Sequence, residues 1–201
     1  MAVELLLLRH GPTAWNRAGR LQGRHDEPLD APARAALAGR RLPARFASWP
    51  VYTSPLRRAR ETAAALGAEA VVDPLLVEMD MGAFEGLTRD AIVARWGAAW
   101  FAALEARGPA FRPPGGECPL DLQARLRAFA RARRDQDPGV VAVTHKGVIR
   151  AALALAAGWD LTGRAPVRLD WSCGHLFAAT ADATFTLLEP NIALEDGGLA
   201  P

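Results

Sequence analysis

Lysine is almost missing from this sequence: Lys146 is the only one, so 23 of the 24 basic residues are arginine. Together with abundant alanine, this usage suggests a G+C-rich genome and has no direct functional content, although the surviving lysine stands beside a histidine. Cysteine is scarce too. Cys118 and Cys173 do not make a disulfide framework, and neither Cys-x-x-Cys nor His-x-x-x-His spacing occurs, so no metal or other cofactor is expected. Long apolar runs are lacking. Val3–Leu8 is far too short to span a membrane and has no signal-peptide layout, which makes the cytoplasm the expected location. No basic tract stands out either. The formal charge is +2 and the arginines are spread along the chain, which argues against a nucleic-acid partner.

What is present fits an ordinary folded domain. The chain has 201 residues, half of them apolar and 23% charged, and a single domain over residues 1–201 is expected. Short apolar runs alternate with helical patterns, the signature of an α/β fold with a mostly parallel sheet. The Val3–Leu8 run is continuous rather than alternating, as in a strand covered on both faces. Further strands are expected at 51–53, 70–72, 140–143, 167–171, 174–180 and 184–188, the last two joined by a hairpin around Asp182. A helix is expected from Ala31, kinked or ended by Pro43, and another from Leu56 to Leu66, stopped by Gly67. Thr88 should cap a helix that carries Ile92, Trp96, Trp100 and Leu104 on one face. Helices from Pro119 and from Val148 complete the pattern, and the Pro/Gly break at 108–116 is read as a loop.

Two strands end alike. The first runs into Arg9-His10-Gly11, and the 140–143 strand runs into Thr144-His145-Lys146-Gly147. Ligands of open parallel sheets bind beyond the carboxyl ends of the strands, so both histidines belong to the binding edge. A third strand leads into Ser54-Pro55-Leu56-Arg57, where Pro55 suits a helix start and Arg57 stands near its positive end. Arginines and a helix N-terminus at one edge are what a phosphate dianion needs. Arg58 and Arg60 read as a solvated helix face, His25 as exposed and His175 as structural.

These residues carry a resemblance. The opening Leu8-Arg9-His10-Gly11-Pro12-Thr13-x-Trp15-Asn16 resembles the histidine phosphatase superfamily, the phosphoglycerate-mutase-like proteins. Further blocks follow in that family's order: Leu21-Gln22-Gly23; Tyr52-Thr53-Ser54-Pro55-Leu56-x-Arg58-Ala59; Glu78-Met79-Asp80 through Glu85-Gly86; Pro114-Gly115-Gly116-Glu117; and Thr144-His145-x-Gly147-Val148-Ile149-Arg150. The resemblance implies a three-layer α/β/α sandwich and a metal-independent phosphatase acting on a small phosphate ester. It further implies His10 as nucleophile, Arg9, Arg57 and His145 around the phosphate, and Glu78 as proton donor. Asn16, Gln22 and Gly23 would approach the substrate. Glu85 and Glu117 are alternative acids, and Glu117 could instead begin the helix near Pro119.

Two positions depart from the family pattern. Lys146 stands where a small residue is usual, and its ammonium would favour substrates with a second acidic group. Cys118 replaces a serine. The shortness of the chain and the segment after Glu78 resemble the phosphatase branch. A mutase, or a catalytically silent module that binds a phosphorylated ligand, is the alternative.

Overall fold

Leu5 and Leu7 are buried in one apolar cluster, Leu6 and Leu8 in another, so every residue of this run is covered. That is why the first strand reads as an unbroken apolar segment: it lies between two helical layers. In the computed structural model, which describes residues 2–136 and 139–197, this strand is β1 (Val3–Arg9). It is followed by α1 (Ala14–Arg17), α2 (Ala31–Leu37), β2 (Arg40–Arg41), β3 (Val51–Thr53), α3 (Arg57–Ala65) and β4 (Ala70–Val72). Then come α4 (Arg89–Trp96), α5 (Ala98–Glu105), α6 (Pro119–Ala132), β5 (Val140–Thr144) and α7 (Lys146–Ala157). β6 (Gly174–Ala179), β7 (Phe185–Ile192) and β8 (Glu195–Asp196) close the order.

Six strands form one sheet in the order β4-β3-β5-β1-β6-β7. The first four run parallel, and β6 and β7 add an antiparallel edge. On one face α6 and α7 pack Leu126, Phe129, Ile149 and Leu153 against Leu5, Leu7, Val140 and Ala142. On the other face Leu66 of α3, Leu37 of α2, Phe46 and Trp49 cover Leu6, Leu8 and Val141. The expected three-layer sandwich is therefore the observed one. A satellite core of Phe84, Ile92, Phe101 and Leu104 sits under the loops between β4 and α6. No helix among the described residues is long and apolar enough to cross a membrane.

Several expectations need correction. The single helix after Thr88 is two: Thr88 caps α4 as expected, but Gly97 at φ +92° breaks the chain before α5. Ile92, Trp96 and Leu104 still share the satellite core, with Trp100 stacked on Trp96 at its outer edge, across a break that only glycine adopts cheaply. α2 ends at Leu37, well before Pro43, because Ala38 is already extended. Residues 167–171 form no strand. Their polar backbone is satisfied locally by Asn191, which accepts from Asp170 N at 2.6 Å and donates to Arg168 O at 3.0 Å. The short sheet of β2 with β8, tied by Arg40–Asp196 and Arg41–Glu195, was not expected. Nor was α1, a single turn closed by a reciprocal Thr13–Asn16 capping box.

Candidate active site

The register of three parallel strands assembles the site. Arg9 pairs with Thr144, so His10 N–H donates to Thr144 O at 2.9 Å and the residues after β1 and β5 lie side by side. The His10 and His145 rings are 5.1 Å apart between centroids. β3 joins the same edge: Ser54 N–H donates to Val143 O at 3.0 Å, which brings Ser54 Oγ 2.7 Å from His145 Nε2.

His10 is 5% exposed. Its Nδ1 lies 2.6 Å from Gly11 O, a contact that requires Nδ1 to carry the proton and leaves Nε2 unprotonated, its lone pair facing Arg58 Nε. Burial pushes the His10 pKa down to about 3, reinforced by the charges of Arg58 and Arg9 and opposed by the bond to Gly11. The imidazole is therefore neutral at ordinary pH, as a nucleophile must be. His145, wholly buried, is driven the same way, first by burial and then by His10, Arg58 and Arg9.

His10 opens onto a cavity of about 400 Å³ that Arg9, Arg58, Glu78 and Lys146 also line. With Arg20, which also lines it, four cations and one carboxylate leave it net positive. Asn16, Gln22 and Gly23 border the same space. Gln22 Oε1 accepts from Thr13 Oγ1 at 2.9 Å, which fixes its amide. Glu78 is held by two backbone donors, Gly147 N at 3.0 Å to Oε2 and Met79 N at 2.8 Å to Oε1. A side chain at Gly147 would collide with that carboxylate, which gives the glycine after Lys146 its local reason. His145 does not line the cavity; it stands behind His10 with its Nδ1 buried and without a hydrogen-bond partner.

Arg57 is the misplaced residue. α3 begins at Arg57 itself, with Leu56 as its N-cap, and at this phase Arg57 turns outward. Its Nε donates to Glu61 at 2.6 Å and its side chain is 54% exposed. Arg58 points inward instead, 0% exposed, with Nε 3.3 Å from His10 Nε2 and its other nitrogens on Gly23 O and His25 O at 2.8 and 2.7 Å. The reading of Arg58 as a solvated face is overturned. A signal was present: Arg58 shares a helical stripe with the buried Ala59, Thr62 and Ala63, and the resembling block contains Arg58 while leaving position 57 open.

The remaining residues settle into supporting places. Glu117 is bound away from His10, pairing with Arg24 at 2.7 Å and Arg125 at 2.9 Å and accepting from Asp80 N at 3.1 Å. Arg125, unremarked in the sequence, donates to Leu75 O and Val77 O and so steadies the backbone leading to Glu78. Glu85 accepts from Arg24 N at 2.7 Å, below Gly23. Cys118 is the N-cap of α6 and shares Asp121 with its own backbone N–H. His25 is stacked on Trp15, their ring centroids 4.3 Å apart. Trp100, expected in the core, is 40% exposed. Trp171 carries Lys146 Nζ and Arg9 Cζ over its ring at 5.3 and 5.8 Å.

A neutral imidazole flanked by guanidiniums at the carboxyl edge of a parallel sheet has the chemistry to hold a phosphate group. Residues 5–188 match the histidine phosphatase superfamily (branch 1), and the chain belongs to that family. It is 32% identical over 157 residues to a metal-independent phosphoserine phosphatase of Arabidopsis thaliana, covering 74% of this chain and 66% of that protein. It is 37% identical over 208 residues to a 2,3-bisphosphoglycerate-dependent phosphoglycerate mutase of Methylobacterium radiotolerans, covering 94% and 96%. Among solved structures, a mycobacterial glucosyl-3-phosphoglycerate phosphatase complexed with VO3 superposes with a TM-score of 0.76 at 28% identity, covering 95% of this chain and 100% of that one.

Two outcomes follow from this geometry. Arg58→Ala should weaken inorganic phosphate or vanadate binding by roughly ten- to hundred-fold, the worth of a charged hydrogen-bond pair, while Arg57→Ala changes it little; calorimetric titration of both variants checks this. The second concerns acid. His10 binds its proton less readily folded than unfolded, so the unfolded chain takes up more protons between about pH 6.5 and 3. Stability should fall as pH drops through that window, and His10→Gln should flatten the slope in urea denaturation. Superimposable pH curves for the two proteins would refute the assigned burial.

Proposed function

We propose that this protein hydrolyses phosphate monoesters of small metabolites through a phosphohistidine on His10. The observation that carries the reading is the state of that ring: buried, neutral, tethered at Nδ1 and facing Arg9 and Arg58 with Nε2. Nε2 attacks phosphorus in line while Arg9 and Arg58 offset charge on the equatorial oxygens. The ester bond breaks and the departing oxygen takes a proton from Glu78. Glu78, now a carboxylate, removes a proton from water, whose oxygen attacks the phosphohistidine and releases phosphate. General acid help of this kind is worth roughly 10²–10⁴ in rate. His145 supports the reaction by closing the pocket behind His10. Asn16, Gln22 and Gly23 contact the substrate beside the phosphate. No metal or other cofactor takes part.

The mutase reading is supported by several relatives named phosphoglycerate mutase, one of them matching along 94% of this chain. Both activities share the first half-reaction and differ in whether water or a second substrate hydroxyl accepts the phosphoryl group. A need for a bisphosphate primer would mark the mutase. A silent binding module is disfavoured, because the nucleophile, the acid and the pocket arginines are all in the chain.

Rapid quench of the enzyme with labelled p-nitrophenyl phosphate should trap an acid-labile adduct, absent in His10→Ala, and turnover should survive EDTA. Turnover with no adduct would sink the mechanism. Lys146 lines the cavity, and its ammonium faces a second acidic group on the substrate. Lys146→Ala should therefore lower kcat/KM for multi-anionic esters and leave p-nitrophenyl phosphate nearly unaffected; equal effects on both would remove Lys146 from specificity.

A further inference from the structure

One helical turn beyond Lys146 the character of the surface changes. Arg150, at i+4 on α7, lines a separate cleft of about 300 Å³ with Arg164, Arg168, Trp159 and Trp171, over an aliphatic floor that includes Leu153. It shares no lining residue with the cavity of Arg58, Glu78 and Lys146, and Trp171, whose ring carries Lys146 and Arg9, is the wall between them. No carboxylate lines it either. The two acids of the same loop make their hydrogen bonds elsewhere: Asp160 holds Thr162 N and Oγ1, and Asp170, which feels the charge of Arg168 without pairing with it, holds Ser172 N and Oγ. Among the described residues none of the three arginines makes an ion pair.

Arg150 is the telling member. It is half-buried with its guanidinium 4.7 Å over the Trp159 ring, and burial lowers its pKa with no carboxylate opposing the shift. A cation removed from water without an anionic partner is costly, and the aromatic face offsets only part of that. Arg164 and Arg168 bring more positive charge to the same space. We propose that this cleft is a second anion-binding site, separate from the phosphate cavity, for a small organic polyanion with a flat or apolar body. Guanidinium forks suit carboxylate, sulfonate or phosphate groups and leave planar faces to stack, while tryptophan walls suit the body. The volume fits a small molecule. Such a ligand has two possible sources, the leaving-group end of the enzyme's own substrate or a free effector.

Calorimetry with trimesate, a flat aromatic tricarboxylate, tests the site whether or not the chain hydrolyses esters. Saturating vanadate keeps the phosphate cavity occupied during the titration. Wild type should bind trimesate, and R150Q/R164Q/R168Q should bind it roughly tenfold or more weakly, the loss expected for charged hydrogen bonds. Hydrolysis of p-nitrophenyl phosphate should be unchanged in that variant. R164Q/R168Q, altered only at exposed positions, serves the same comparison if Arg150 proves necessary for folding. The sources separate kinetically. If the cleft takes the leaving group, 4-carboxyphenyl phosphate gains over phenyl phosphate in KM, and the gain disappears in the variant. If it takes an effector, the two esters keep the same ratio in both proteins while trimesate alters kcat only in wild type. Equal trimesate affinity in wild type and variants, or displacement of trimesate by vanadate, would overturn the proposal.

Discussion

Everything at the candidate active site depends on keeping one imidazole dry between two guanidinium groups. Water would relieve the strain of that juxtaposition and would also let the ring protonate. Buried, His10 resolves the conflict by staying neutral, and the same burial makes Arg9 and Arg58 more effective toward an anion than they would be in solvent. The parallel register of β1 with β5 makes this possible, because it delivers two strand ends to one point with their backbone groups already paired. The ring then needs only Gly11 O to fix its tautomer.

The loops around it are held by charged groups as well as by the apolar packing of Leu76, Met79 and Phe84. Arg58 fastens the 23–25 turn through two carbonyls while facing His10. From Arg24 a chain of charges runs through Glu117 to Arg125, which grips the carbonyls ahead of Glu78. Partly buried pairs of this kind contribute little net stability, since desolvation consumes much of the attraction. Their effect is geometric: the loop that follows β1 and the segment that carries Glu78 are tied to one network.

Much of this was legible in the sequence because it follows from strand chemistry. Continuous apolar runs identified β1 and β5, and the polar residues just beyond them had to emerge at the carboxyl edge. Helical phase was harder. The helix is expected from Leu56 and begins at Arg57, but nearness to its positive end does not say which arginine faces in: neighbouring side chains stand about 100° apart, and it is Arg58 that falls on the buried stripe. The Gly97 break was invisible to four-residue spacing, because both helices still pack on Phe84 and its neighbours. Ser54 and Arg125 were out of reach for a different reason. Their contacts span 91 residues to His145 and 50 residues to Leu75, and no local pattern encodes a partner that distant.

The bond from Arg58 Nε to His10 Nε2 has a consequence of its own. A lone pair that accepts a proton donor is a poor electron source, so chance electrophiles find the ring muted. Under the proposed function, an arriving phosphate would compete for the same guanidinium, draw it onto its oxygens and unmask the nitrogen as a phosphorus atom comes before it. Reactivity would then be conditional on the right visitor.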